Sequence, residues 1–160
     1  KRDVRCAAVA AHLWRLTFAT SLTADELQSP GSNGRLGGGC GGFFWRFPSC
    51  EDVDVFTATA RGEHAAHGTV APWVAWSADF FAGPGTSGPA TIVVASANAV
   101  CHDEHWFVRV SDYPGLGSAL AWDRPIVLSP GQPLERRYEI LVADGRLDAE
   151  AVAAAIASQR

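Results

Sequence analysis

Methionine is absent from all 160 residues, so residue 1 is no translation start, and the chain reads as processed, trimmed or part of a longer polypeptide. Lysine is almost absent too: Lys1 stands alone among 13 Lys and Arg residues. Against these stand 17 acidic side chains, for a formal charge of −4. That balance lacks the basic surplus that nucleic-acid binding uses, so no nucleic-acid partner is expected. No apolar run approaches the roughly 20 residues of a membrane-spanning helix, and no membrane partner is expected. Behind Lys1-Arg2-Asp3 there is no apolar core of a signal peptide. The four cysteines, Cys6, Cys40, Cys50 and Cys101, contain no CxxC pair and are too sparse for a disulfide framework. Reduced thiols in a cytoplasmic protein are expected, with Cys40 and Cys50 the one pair close enough in sequence to bridge.

What is present is a core's worth of apolar side chains, 48% of the chain, punctuated by 16 Gly and 9 Pro. The length suits a single domain over residues 1–160. Val4 to Leu22 alternates in its second half, with His12, Trp14, Leu16 and Phe18 on one face, and is expected to form one long strand. Further strands are expected at 42–47, 54–61, 71–77, 89–96, 104–110, 119–122 and 135–142. Turn signals separate them at Arg61-Gly62, Gly83-Pro84-Gly85, Pro114-Gly115, Ser129-Pro130-Gly131 and Asp144-Gly145. Only the tail reads as helix, where Asp148 can cap the alanine-rich run from Ala149 to Ser158. Short strands at this spacing make the fold class all-β: an antiparallel β-sandwich with a C-terminal helix.

Two strands place an arginine two residues beyond a phenylalanine on one face. Phe44 and Arg46 share a face opposite Phe43, Trp45 and Phe47; His105, Phe107 and Arg109 share a face opposite Trp106, Val108 and Val110. An arginine inside an apolar strand is costly unless it is paired or faces a wet cavity. The repeated pattern predicts a concave, ring-lined polar face for a sugar or carboxylate ligand. The alternative is that each guanidinium pairs with an acidic neighbour on a solvated sheet. Glu63-His64-Ala65-Ala66-His67 and His102-Asp103-Glu104-His105 hold enough imidazoles and carboxylates for a metal, but HxxH converges only on a helix, and neither segment reads as one. No metal or cofactor is therefore expected. His67, leading into the strand with Trp73 and Trp76, is the candidate for proton transfer, with Glu63 beside it. The run Gly37-Gly38-Gly39-Cys40-Gly41-Gly42 lacks the Gly-Lys-Ser/Thr ending of a phosphate loop and precedes a strand, so that reading is excluded.

Taken together, Ser29-Pro30-Gly31-Ser32-Asn33-Gly34-Arg35, Gly41-Gly42-Phe43-Phe44-Trp45-Arg46, His67-Gly68 with Pro72-Trp73, Trp106-Phe107-Val108-Arg109, Tyr113-Pro114-Gly115 and Val142-Ala143-Asp144-Gly145-Arg146-Leu147 resemble the PmoA-like family of bacterial proteins. The resemblance runs from about Leu13 to Leu147. It implies the C-terminal half of a larger, galactose-mutarotase-like β-sandwich linked to sugar catabolism. Cys40 stands where the family carries an aromatic residue.

The resulting expectation is a protein acting on a sugar or sugar-derived small molecule. Arg46 and Arg109 would hold ligand hydroxyls or a carboxylate, Trp45 or Trp106 would stack on the sugar, and His67 with Glu63 would move a proton. A sugar-modifying enzyme (epimerisation, hydrolysis or elimination), a non-catalytic carbohydrate-binding module and a metal-binding cupin-like or oxygenase-type protein all remain open. The large aromatic inventory, six Trp and eight Phe, also predicts cover from a second polypeptide, either the N-terminal half or another copy of the chain, pairing along the segment from Val4 to Phe18.

Overall fold

The computed structural model describes residues 1–31 and 40–159, and the glycine-rich run at 32–39 lies outside them. The described strands are β1 (Arg2–Ala10), β2 (Leu13–Leu22), β3 (Cys40–Arg46), β4 (Cys50–Thr57), β5 (Trp73–Gly83), β6 (Thr86–Ser96), β7 (His105–Arg109), β8 (Gly115–Ala121) and β9 (Leu134–Asp144). A single helical turn, α1 (Glu63–Ala66), and a C-terminal helix, α2 (Ala149–Ala157), complete the regular elements with one 3-10 turn at Ala99–Cys101. Six strands form one sheet in the order β1-β2-β9-β6-β5-β4, and three form a second in the order β3-β8-β7. Each paired neighbour is antiparallel. The chain is an all-β antiparallel sandwich with a C-terminal helix.

Strand alternation builds the layers. Val55, Val74, Trp76, Ile92, Val94, Tyr138 and Ile140 project from the large sheet onto Phe43, Trp106, Val108 and Leu116 of the small one. On the other side of the large sheet, Phe56, Trp73, Ala75, Val93 and Leu141 are covered by Val152, Ala155 and Ile156 of α2. Asp148 caps that helix, its Oδ1 accepting from the Ala151 N–H at 2.8 Å. Among the described residues the small sheet is thus packed on one face only. The β1–β2 hairpin reaches beyond it and leaves Val4 59% and Trp14 49% exposed.

Two expectations need correction. Val4 to Leu22 is not one strand: the chain reverses at Ala11-His12, so that Ala10 pairs with Leu13 and Val4 with Phe18. The turn carries no Gly, Pro, Asn or Asp to announce it. Its support comes from far away in sequence, since His12 O accepts from the Asp144 N–H at 3.0 Å and its Nδ1 lies 3.0 Å from Asp144 Oδ2. The segment at Glu63, read as a turn, forms the helical turn α1, closed by the His67 N–H donating to Glu63 O. Cys50 carries a free thiol, as do Cys6 and Cys101. No helix among the described residues is long and apolar enough to cross a membrane.

Candidate functional site

The outer face of the small sheet is built in rows across its three strands. Gly42, Ala119 and His105 form one row, Phe44, Gly117 and Phe107 the next, and Arg46, Gly115 and Arg109 the third. Small residues on the central strand β8 let the flanking side chains fold inward. A Cβ on Gly117 would lie 2.2 Å from Phe43 O and 3.0 Å from Phe44 Cα, and one on Gly115 would lie 2.5 Å from Cζ of the Phe44 ring. The Phe44 ring therefore lies across β8, edge-on to Phe107 at 5.8 Å and to Tyr113 at 6.2 Å. It stays 46% exposed. These rings wall a cavity of about 260 Å³ floored by Gly41, Gly42 and Ala119. Beyond Phe107 the surface continues with His67, at 5.2 Å from that ring, and with Trp122, which stacks on His105 at 5.0 Å.

Arg46 and Arg109 reach this same face from opposite sides of Gly115. Their guanidinium carbons sit over aromatic rings, Arg46 at 4.9 Å from the Tyr113 centroid and Arg109 at 4.4 Å from that of Phe107. Elsewhere Arg5, Arg61, Arg124, Arg136, Arg137 and Arg146 each meet a carboxylate. Among the described residues none pairs with Arg46 or Arg109. The local-pairing alternative for these two arginines finds no partner there.

His67 and Glu63 are placed by what they do for the edge of β7. Backbone N–H groups along that edge donate to Thr69 O from Trp106, to His67 Nδ1 from Val108 at 3.2 Å, and to Glu63 Oε1 from Val110 at 3.0 Å. Glu63 Oε2 also accepts from the Ser111 N–H at 3.1 Å and the Ser111 hydroxyl at 2.6 Å. Burial alone pushes the Glu63 carboxyl up, but the Ser111 hydroxyl, the two backbone N–H groups and the Arg109 charge outweigh it and hold the group below the usual carboxylate range. A backbone N–H can only donate, so His67 Nδ1 accepts from Val108, which leaves Nε2 as the nitrogen that faces Arg109. That nitrogen lies 3.0 Å from Arg109 Nη1, which also donates to Val108 O at 2.8 Å.

The tryptophans expected to stack on a ligand lie on the other side of the sheet. Trp106 is 1% exposed, with its Nε1 donating to Ala71 O at 2.9 Å, and Trp45 packs on the core beside Phe47 at 5.6 Å. Alternation forces this, because neighbours of Arg46 and Phe107 in sequence must face away from them. The rings that share the arginine face are Phe44, Phe107, Tyr113 and Trp122. The two histidine clusters also come apart: His64 and His102 are exposed, while His105 is committed to Trp122. Among the described residues no three His, Cys, Asp or Glu side chains converge on a metal position.

Sequence reasoning missed the charged cluster beneath the small sheet. Glu104 is buried between the sheets, accepting from Arg136 Nε, from the Tyr138 hydroxyl and from the Ser118 hydroxyl at 2.5 Å. Burial, reinforced by the Glu104 charge, pushes the Tyr138 hydroxyl far above the usual tyrosine range, so it stays protonated and donating. The signal was available: in β9, Arg136 shares a face with Tyr138, Ile140 and Val142, the same arginine-in-an-apolar-face pattern that marked Arg46 and Arg109.

No curated protein and no solved structure matches the chain. A family model does match it, over residues 1–157. That span takes in both sheets, the arginine face and α2, and the chain belongs to the family of unknown function DUF6807.

Proposed function

We propose that the outer face of the three-stranded sheet binds a carbohydrate or sugar-derived small molecule. The observation that carries the reading is the row Phe44–Gly117–Phe107, an exposed aromatic wall over a glycine floor with Arg109 beside it. Sugars offer apolar C–H faces and a rim of hydroxyls. Rings flanked by guanidinium donors match both, and a concave apolar site with a few polar groups is the usual form of a small-ligand pocket. The resemblance to PmoA-like proteins, with a mutarotase-like sandwich and a sugar link, agrees with this reading.

Binding without turnover is the version the geometry favours. Glu63 spends both carboxylate oxygens on Val110 and Ser111, so using it as a base would sacrifice three hydrogen bonds. His67 accepts a backbone N–H through Nδ1, and its Nε2 stands 3.0 Å from the Arg109 guanidinium, so both ring nitrogens are already engaged by the protein. Calorimetric titration with a panel of neutral and acidic sugars tests the reading. Phe44→Ala should weaken binding roughly tenfold, as expected for losing the contact area of one ring, without unfolding the protein. If no sugar binds at millimolar concentration, the reading fails. If any sugar is epimerised, cleaved or dehydrated by the wild type and not by His67→Ala, the enzyme alternative replaces the binding module.

A further inference from the structure

We infer that the ligand of this face carries a carboxylate, received two-point on the Nε–Nη2 edge of Arg109 while its ring lies against Phe107 and Phe44: an acidic sugar of the uronate class. This inference rests on the carbohydrate reading and narrows it. The protein itself shows how its arginines take carboxylates. Arg61 uses Nε and Nη2 on the two oxygens of Asp54, at 2.9 and 2.6 Å, and Arg5 uses the same two atoms on Asp3. In Arg109 the opposite corner is occupied. Nη1 donates to Val108 O and stands against His67 Nε2, and the guanidinium carbon sits 4.4 Å from the Phe107 centroid. Among the described residues no acceptor meets the Nε–Nη2 edge, the edge that forms the fork for a carboxylate.

The nearest acid does not supply that acceptor. Glu63 feels the Arg109 charge, but its oxygens are bound to the end of β7. A half-buried guanidinium set among rings gains most from an anionic partner, and a neutral hydroxyl meets it with one weaker hydrogen bond. Arg46 stands two strand spacings away, about 10 Å between backbones, with the Phe44 and Tyr113 rings between. It is therefore placed to meet a second acidic group farther along a ligand, and an oligouronate satisfies both arginines.

The test is calorimetric titration of the chain with digalacturonate, with the neutral galactose disaccharide of the same linkage, and with succinate as a carboxylate lacking a sugar. Digalacturonate should bind about tenfold to a hundredfold more tightly than the neutral disaccharide, the difference expected of charged over neutral hydrogen bonds, and succinate should not compete. Arg109→Gln should erase that preference, lowering the affinity for digalacturonate at least tenfold more than that for the neutral disaccharide. Arg109→Lys, which keeps the charge but loses the fork, should recover only part of it. Arg124→Gln, on an exposed turn, serves as the unaffected control, and thermal melts confirm that each variant is folded. Equal binding of acidic and neutral disaccharides overturns the inference and leaves the carbohydrate reading standing. Retention of the preference in Arg109→Gln overturns the assignment of the site. Succinate binding as tightly as digalacturonate, or no binding by either disaccharide, overturns both.

Discussion

Arg136 and Arg109 occupy equivalent places in their strands and live in opposite worlds. Each alternates with apolar or aromatic neighbours, yet Arg136 is buried between the sheets with Glu104, Tyr138 and Ser118 around it. Arg109 lies half-buried on the outer face, its guanidinium carbon over the Phe107 ring, with no described carboxylate on it. The difference comes from the layer above. β9 is central in a six-stranded sheet covered on both sides, whereas β7 belongs to a three-stranded sheet that, among the described residues, is packed on one side only. A buried guanidinium must be fully satisfied or the fold suffers. Half-buried on the outer face, the same group can meet a ligand at little cost to stability, and the two arginines should respond very differently to substitution.

The sharpest way to break the comparison is at Glu104. Glu104→Gln strips the charge from the partner of Arg136 and leaves the guanidinium buried, which should destabilise the protein by about 3–5 kcal/mol in urea unfolding. Replacing both partners with apolar residues, Glu104→Leu with Arg136→Met, should recover most of that loss, because no charge is then stranded. If the single change costs less than the double one, the cluster is not a coupled pair.

Next in size is the glycine row that separates the inner layer from the outer. A Cβ at Gly117 would lie 2.2 Å from the Phe43 carbonyl oxygen, so Gly117→Ala must push β3 away from β8. Overpacking of this kind costs about 1–3 kcal/mol. The displacement would tilt Phe44 off the central strand, so sugar affinity should fall along with the melting temperature. Unchanged stability would mean that β3 is not held as closely as the Phe44 ring position requires.

How much of this was legible beforehand follows from which interactions are local. Alternation in β3, β7 and β9 revealed which residues share a face, and the alanine-rich run after Asp148 revealed α2. Alternation carries no sign, however. It placed Phe44, Arg46, Phe107 and Arg109 together without saying that Trp45 and Trp106 were the inward set, because that depends on a sheet several strands away. The reversal at Ala11-His12 was hidden since its support comes from Asp144, more than a hundred residues later. α1 was hidden for a related reason: one helical turn has no periodicity to read, and its anchor is the far edge of β7. Glu104 drew no role of its own beside His102 and His105 because its true partners lie on β8 and β9.

Smaller still is the edge-capping role of Glu63, which should appear as a pH effect. Its folded-state pKa is depressed, so the ionised form is the one the fold favours. Its contribution is present above the unfolded-state value of about 4.3 and is lost as pH falls through the lower folded value. Glu63→Gln should therefore lower stability at pH 7 by no more than about 1.5 kcal/mol, the range of a net hydrogen bond, and the gap from wild type should narrow on acidification. A gap that stayed constant down to strongly acidic pH would show that packing, not the carboxylate, is what the variant lost.

The smallest effects should fall on the outer arginines, and that smallness completes the comparison. Arg46→Ala removes a cation over the Tyr113 ring at an exposed position, worth no more than about 1 kcal/mol, and strands no buried carboxylate. Arg109→Gln gives up one hydrogen bond to Val108 O and the contact with Phe107, and it too should stay within about 1 kcal/mol of wild type. Both variants should melt almost as the parent does, while Glu104→Gln does not. The contrast has a direct reading in binding: residues whose removal the fold tolerates, yet which sit on aromatic rings beside a glycine-floored cavity, should show their cost only when a ligand is added. A large drop in melting temperature for Arg109→Gln would make that side chain a structural prop of the β7 edge, joined to His67 in holding α1, and would move the ligand-contacting role to Arg46 and Tyr113.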